Sequence, residues 1–100
     1  MLNKKDIMQE IENNRERIRA FGVAKLTLFG SYACEKQKKN SDIDFLVEFK
    51  PGRGLFDDYV HLLQFLEDIF HKKIDLGEEH LLRQELKEPI LGGIKLEAKI

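Results

Sequence analysis

One hundred residues are enough for one domain with a modest hydrophobic core and too few for two independent cores, so a single domain over residues 1–100 is expected. The composition, 42% apolar and 35% charged with a formal net charge of −1, is that of a globular protein with a heavily charged surface. It lacks the basic balance of a nucleic-acid coat protein and has no apolar run of the roughly 18 residues that a membrane span needs. The N-terminus carries no continuous apolar segment of signal or transit type, and the single cysteine, Cys34, excludes an intrachain disulfide and any cysteine-based zinc site. A cytoplasmic location is the expectation.

Asn3 is a candidate cap for a first helix, with Asp6 three residues on and Leu2 and Ile7 spaced as a hydrophobic staple. Ile7, Ile11, Ile18 and Phe21 mark one helical face, and Gly22 suits its end. Val23 to Phe29 then reads as a strand delivering the chain into Gly30-Ser31. The polar stretch Tyr32 to Lys39 has no Pro or Gly, which predicts a short helix before a turn at Asn40-Ser41.

Asp42 to Phe49 is the strongest strand in the sequence, with Ile43, Phe45, Val47 and Phe49 alternating against Asp42, Asp44, Leu46 and Glu48. Residues two apart on a strand face the same way, with Cα atoms about 6.5 to 7 Å apart. Asp42 and Asp44 therefore project together, and two carboxylates so arranged repel unless a cation joins them. Lys50-Pro51-Gly52-Arg53-Gly54 breaks the strand, and Leu55 to Phe70 follows as a long helix with Leu55, Tyr59, Leu62, Leu63, Leu66, Ile69 and Phe70 on its inner stripe. Ile74-Asp75-Leu76 reads as a short third strand, and Glu78 to Glu88 as a short helix with Leu82 and Leu86 inward. Residues 90–100 fit either a glycine-weakened helix or a terminal strand.

Strands alternating with helices predict a small α/β (α+β) domain, with a mixed sheet and helices mainly on one face. If the strand of Asp75 pairs beside that of Asp42 and Asp44, three carboxylates meet in one cleft near the Gly-Ser turn. That constellation suits phosphoryl or nucleotidyl transfer, which asks of a protein chiefly cations across a phosphate and carboxylates to hold them. Hard oxygen ligands fit magnesium. Gly30 would let the backbone approach a phosphate without a Cβ in the way, and Ser31 offers a hydroxyl and an amide to the same anion. Lys36, Lys38 and Lys39, with Lys72-Lys73, read either as solvated lysines or as a positive rim for a polyphosphate.

Cys34 has no basic partner nearby that would make it a nucleophile, and reads as a small packed residue. His61, His71 and His80 fit no compact metal-binding spacing. Tyr32 and Tyr59 suit packing or rim positions better than modification or base stacking.

Gly30-Ser31, ten residues, then Asp42-x-Asp44 resembles the signature of the nucleotidyltransferase fold in the DNA polymerase beta-like superfamily, and the chain is similar to its minimal nucleotidyltransferases. The resemblance runs from Leu28 through Glu48-Phe49 to Lys73-Ile74-Asp75-Leu76. It implies that Asp42, Asp44 and Asp75 form a catalytic, metal-binding triad and that Ser31 contacts nucleotide phosphates; Gly30 and Lys36 are expected at the same nucleotide site. It also implies Mg2+ as cofactor and ATP as nucleoside triphosphate. Small members resemble the antitoxin of a pair whose toxin is an all-helical HEPN ribonuclease. Such antitoxins are expected to transfer AMP to a tyrosine hydroxyl of that partner. The alternative is a binding antitoxin or nucleotide-binding subunit that acts by complex formation. Where many relatives have Ala-Arg-Gly and then an acid, this chain has Ala33-Cys34-Glu35-Lys36, which removes a guanidinium of whose charge Lys36 replaces only part.

Overall fold

The computed structural model describes residues 2–82, 85 and 93–100. Helix α1, Lys4–Asn13, opens with a capping box in which the Asn3 side chain accepts from Asp6 N–H and the Asp6 carboxylate accepts from Asn3 N–H. The single first helix expected from the sequence is divided. Asn14, at φ −110°, ends α1, and α2 spans Arg15–Ala20. Asn14 Nδ2 donates to Glu10 O at 2.8 Å, a side-chain bond that takes up an end-of-helix carbonyl. Ile7, Ile11 and Ile18 remain on one face across this break, each at most 1% exposed.

Four strands follow: β1 Val23–Phe29, β2 Ile43–Phe49, β3 Ile74–Glu78 and β4 Leu96–Lys99, with α3 Gly30–Ala33 after β1 and α4 Phe56–Phe70 between β2 and β3. They form one mixed sheet in the order β3-β2-β1-β4. β1 is antiparallel to both β2 and β4, while β2 and β3 are parallel and are joined by α4. The expected small mixed α/β sheet is present.

Alternation along the strands sorts the two faces. Leu26, Leu28, Phe45, Val47, Ile74 and Leu76 turn toward Leu62, Phe65, Leu66 and Phe70 of α4 and toward the three isoleucines of α1 and α2, making one continuous core. Each fully buried Leu or Ile there is worth about 1.5–3 kcal/mol in transfer free energy. The helices thus cover one face. The opposite face carries Lys25, Thr27, Asp44, Leu46, Glu48, Asp75 and Glu97. A 3-10 turn, Glu79–Leu81, packs against β2, and Thr27 and Leu46 on that side are 1% and 2% exposed.

Three boundaries depart from the sequence pattern. The helix expected over Tyr32 to Lys39 is confined to Gly30–Ala33, because Tyr32 and Ala33 are buried whereas Glu35 to Asn40 has no apolar residue to hold a second turn on the core. Leu55 is not on the inner stripe of α4; it is the extended residue before the helix and is 76% exposed. Glu78 belongs to β3 and Glu79–Leu81 to the 3-10 turn, so the helix expected from Glu78 does not begin there. The rest of that expectation, at 83, 84 and 86–88, and the segment 89–92 lie outside the described residues. Of the two readings for the C-terminal stretch, the strand is realised at Leu96–Lys99. No helix among the described residues is long and apolar enough to cross a membrane.

Candidate functional site

β1 runs extended to Phe29, and Gly30 then turns the chain at φ 75°, in the region that favours glycine. Glycine is also demanded by space. A Cβ at Gly30 would collide with Asp44 Oδ2 and stand 3.0 Å from Asp44 Cγ. The backbone of the Gly-Ser turn therefore rests against a carboxylate. This follows from register, since Phe29 pairs with Asp44 across β1 and β2.

Asp44 in turn pairs with Asp75 across the parallel β2 and β3. The turn, the strand carboxylate and the edge-strand carboxylate thus stand in one row on the face opposite α4. Burial, then the charge and hydrogen bond of Asp75, then the charge of Asp42, push the Asp44 carboxyl up to about 6. Asp42 lies just before β2, exposed, and reaches Asp44 through its charge. Among the described residues no three His, Cys, Asp or Glu side chains are gathered into a preformed metal cage. The donors form an open, oxygen-only face built on the Asp44–Asp75 pair.

Ser31 follows Gly30 on α3 and is half-buried. Its carbonyl accepts from Lys36 N–H at 2.9 Å and from the Cys34 thiol at 3.7 Å. Lys36 itself is exposed on the loop leaving α3. Cys34 is half-buried, and Tyr32 is fully buried with its hydroxyl donating to Ser41 O at 3.5 Å, so the aromatic ring anchors both ends of the ten-residue gap. Further bonds fix this gap: Lys38 N–H to Ser41 Oγ at 2.8 Å and Gln37 Nε2 to Leu2 O at 3.3 Å. His61, His71 and His80 are exposed.

A cleft of about 350 Å³ beside β3, lined by Tyr59, Leu76, Gly77, Glu78, Leu81 and Leu82, was not foreseen as part of the site's surroundings. The Tyr59 hydroxyl donates to Leu76 O, taking up a backbone acceptor on the edge strand. Burial, with the charges of Glu78 and Asp75, raises its pKa. The signal for this wall was the continuation of the Ile74, Leu76 alternation to Glu78, which makes β3 two residues longer than its apolar core.

Four likenesses to known proteins bear on this geometry. The family model described as nucleotidyltransferase domain matches residues 7–96. A candidate protein adenylyltransferase of Methanocaldococcus jannaschii is 43% identical over 70 residues, which cover 70% of this chain and 74% of the relative. Among solved structures, a minimal nucleotidyltransferase superposes with a TM-score of 0.77 at 27% identity, covering 91% of this chain and 92% of the other. A toxin-antitoxin complex crystallised with AMP-PNP contains a chain that superposes at 0.59 and 25% identity, covering 87% of this chain and 65% of that one. The chain belongs to the nucleotidyltransferase domain family, among its minimal members, and is an enzyme of the nucleotidyltransferase type.

Proposed function

We propose that this protein is a magnesium-dependent protein adenylyltransferase that moves AMP from ATP to a tyrosine hydroxyl of a HEPN-type ribonuclease toxin, and so acts as an antitoxin. The observation that carries the reading is the contact of Gly30 with Asp44, whose carboxylate is itself paired with Asp75. The name of the archaeal relative and the toxin-antitoxin complex with a nucleotide analogue support the reaction class and the kind of partner.

The donor set fits magnesium, because it is all carboxylate oxygen and because burial, with crowding by Asp75 and Asp42, resists ionisation of Asp44, a strain that a divalent cation relieves. Asp42, Asp44 and Asp75 would hold the metal, which when bound supplies positive charge to the phosphate oxygens and to the pyrophosphate that leaves. The open arrangement leaves part of the coordination shell to phosphate and water. Gly30 brings backbone against the phosphate, Ser31 offers its hydroxyl, and Lys36 adds charge at the rim. Asp75, exposed on the edge strand, is accessible to an incoming hydroxyl and suited to receive its proton. The tyrosine oxygen then bonds to the α-phosphorus as the bond to the β-phosphate oxygen breaks.

The test incubates the protein with magnesium, ATP labelled at the α-phosphate and a HEPN toxin from the same genome, comparing wild type with Asp42→Asn/Asp44→Asn. Label is expected on the toxin with wild type and absent with the variant. Neutralisation of the toxin by the unlabelling variant would instead establish masking by complex formation. Cys34-Glu35 in place of Arg-Gly favours that second reading, since it removes a guanidinium beside the phosphate turn.

A further inference from the structure

Two lysine-bearing segments more than thirty residues apart meet at one edge of the sheet. Parallel pairing of Ile43 with Ile74 and of Asp44 with Asp75 sets the N-terminal ends of β2 and β3 side by side. The segment leading into β2 carries Lys36, Lys38 and Lys39, and the segment leading into β3 carries Lys72 and Lys73. They touch: Lys72 Nζ donates to Lys39 O at 3.0 Å, and Ile43 N–H donates to Lys73 O at 3.1 Å.

Lys36, Lys38, Lys39 and Lys73 are exposed and Lys72 is half-buried. Among the described residues none of these five forms an ion pair, whereas Lys4, Lys25, Lys95, Arg15, Arg19 and Arg53 all do. Among the described residues, the exposed acids on these two segments are Glu35, which pairs with Lys4, and Asp42 and Asp75, which belong to the carboxylate site. The ridge is also held in shape by the Lys38–Ser41 and Gln37–Leu2 bonds. Five ammonium groups outside ion pairs, gathered on two adjoining segments, raise the local potential and attract a polyanion.

We infer that this ridge, which shares Lys36 with the phosphate site of the proposed reaction, binds the phosphodiester backbone of a nucleic acid. One triphosphate tail offers its charge to a few ammonium groups at a single point, whereas five lysines along two adjoining loops match a succession of phosphates. Lysines engage phosphates as point charges without reading bases. Tyr32, on the first segment, is fully buried, and the exposed ring beside the second is the single imidazole of His71. Binding is therefore sequence-independent and steeply dependent on salt.

The probe is a fluorescent oligouridylate of about 15 nucleotides, followed by anisotropy between about 50 and 200 mM salt, with inorganic tripolyphosphate as a competing arm. Five neutralised phosphates on a single strand predict a log–log salt slope of about −3.5. Lys39→Gln/Lys73→Gln is expected to reduce that slope to about −2. Lys50→Gln/Lys99→Gln, which removes the same charge from the opposite end of the sheet, should leave it unchanged. Equal effects of the two variants, or binding of tripolyphosphate without the oligonucleotide, would overturn the inference.

Discussion

At φ 60° Glu35 occupies the left-handed region directly after α3, the four-residue helix that carries Ser31. Lys36 N–H reaches back to Ser31 O at 2.9 Å, so the reversal at Glu35 closes the turn beside the site. A Cβ in that conformation costs roughly 1–2 kcal/mol. The Lys4–Glu35 pair, at 3.9 Å and with the carboxylate largely exposed, offsets little of this. Glu35→Gly is therefore expected to exceed Glu35→Ala in stability by about 1 kcal/mol, read from urea midpoints. Both variants lose the ion pair, so equal midpoints would mean that the turn relaxes around a Cβ. The departure at Cys34-Glu35 was visible in the sequence, but its backbone consequence was not. The left-handed angle depends on Tyr32 and Gln37 pinning the loop from residues on either side. Gly30 was legible for the opposite reason, because its need for space and its need for a positive φ both select the one residue without a Cβ.

The turn Glu79–Leu81 illustrates what a short element requires to stay in place. It is held to the sheet face opposite α4 by Lys25, whose Nζ stands 3.3 Å from Glu79 Oε2 and 3.9 Å from both Glu48 and Glu97. Burial alone would lower the Lys25 pKa, but Glu79, Glu97 and Glu48 outweigh it and raise it. Glu79 Oε2 is buried without a hydrogen-bond partner among the described residues, which leaves Lys25 as its compensation. Lys25→Met should lower stability by about 1–3 kcal/mol in chemical denaturation, and Lys25→Met/Glu79→Gln should recover part of the loss. No recovery in the double variant would assign the cost to packing. Nothing in the local sequence announced this, because the four charges come from β1, β2, the 3-10 turn and β4. Helix α4 was legible from its stripe, yet Phe65 was absent from the expected set. It is buried because α2 and the residue after it close over it, with Phe21 at 5.6 Å between ring centroids and the Arg17 guanidinium 4.7 Å above the ring. Periodicity within one helix cannot show such a partner.

For the whole molecule, the strand pattern made the mixed sheet readable, and one conditional step, the pairing of β3 beside β2, carried the site. The structure makes that pairing, and it brings Asp75 opposite Asp44. The same pairing brings together the two lysine segments that the sequence offered as a positive rim, which a net charge of −1 does not show because composition sums over faces that the fold separates. The carboxylate row has a thermodynamic consequence that can be followed without activity. The Asp44 carboxyl is raised from 3.8 to about 6 in the folded protein. Between those values the folded state holds a proton that the unfolded chain has released, so stability falls as pH rises. The contribution is complete below about 3.8 and is lost as pH passes through about 6. Asp58 runs the other way, with its pKa lowered to about 2 by the hydrogen bond from Arg53, and its contribution is lost only as pH falls below 3.8. It leaves the window from pH 5 to 7.5 to Asp44 among these two carboxyls. In metal-free buffer, the Tm difference between wild type and Asp44→Asn should therefore shift by a few degrees in favour of the variant as pH rises from 5 to 7.5. Saturating magnesium favours the ionised carboxylate, so it should raise the wild-type Tm at pH 7.5, lose that effect below about pH 6, and leave Asp44→Asn little changed. A magnesium effect of the same size at pH 5 and pH 7.5 would show that the cation does not meet Asp44.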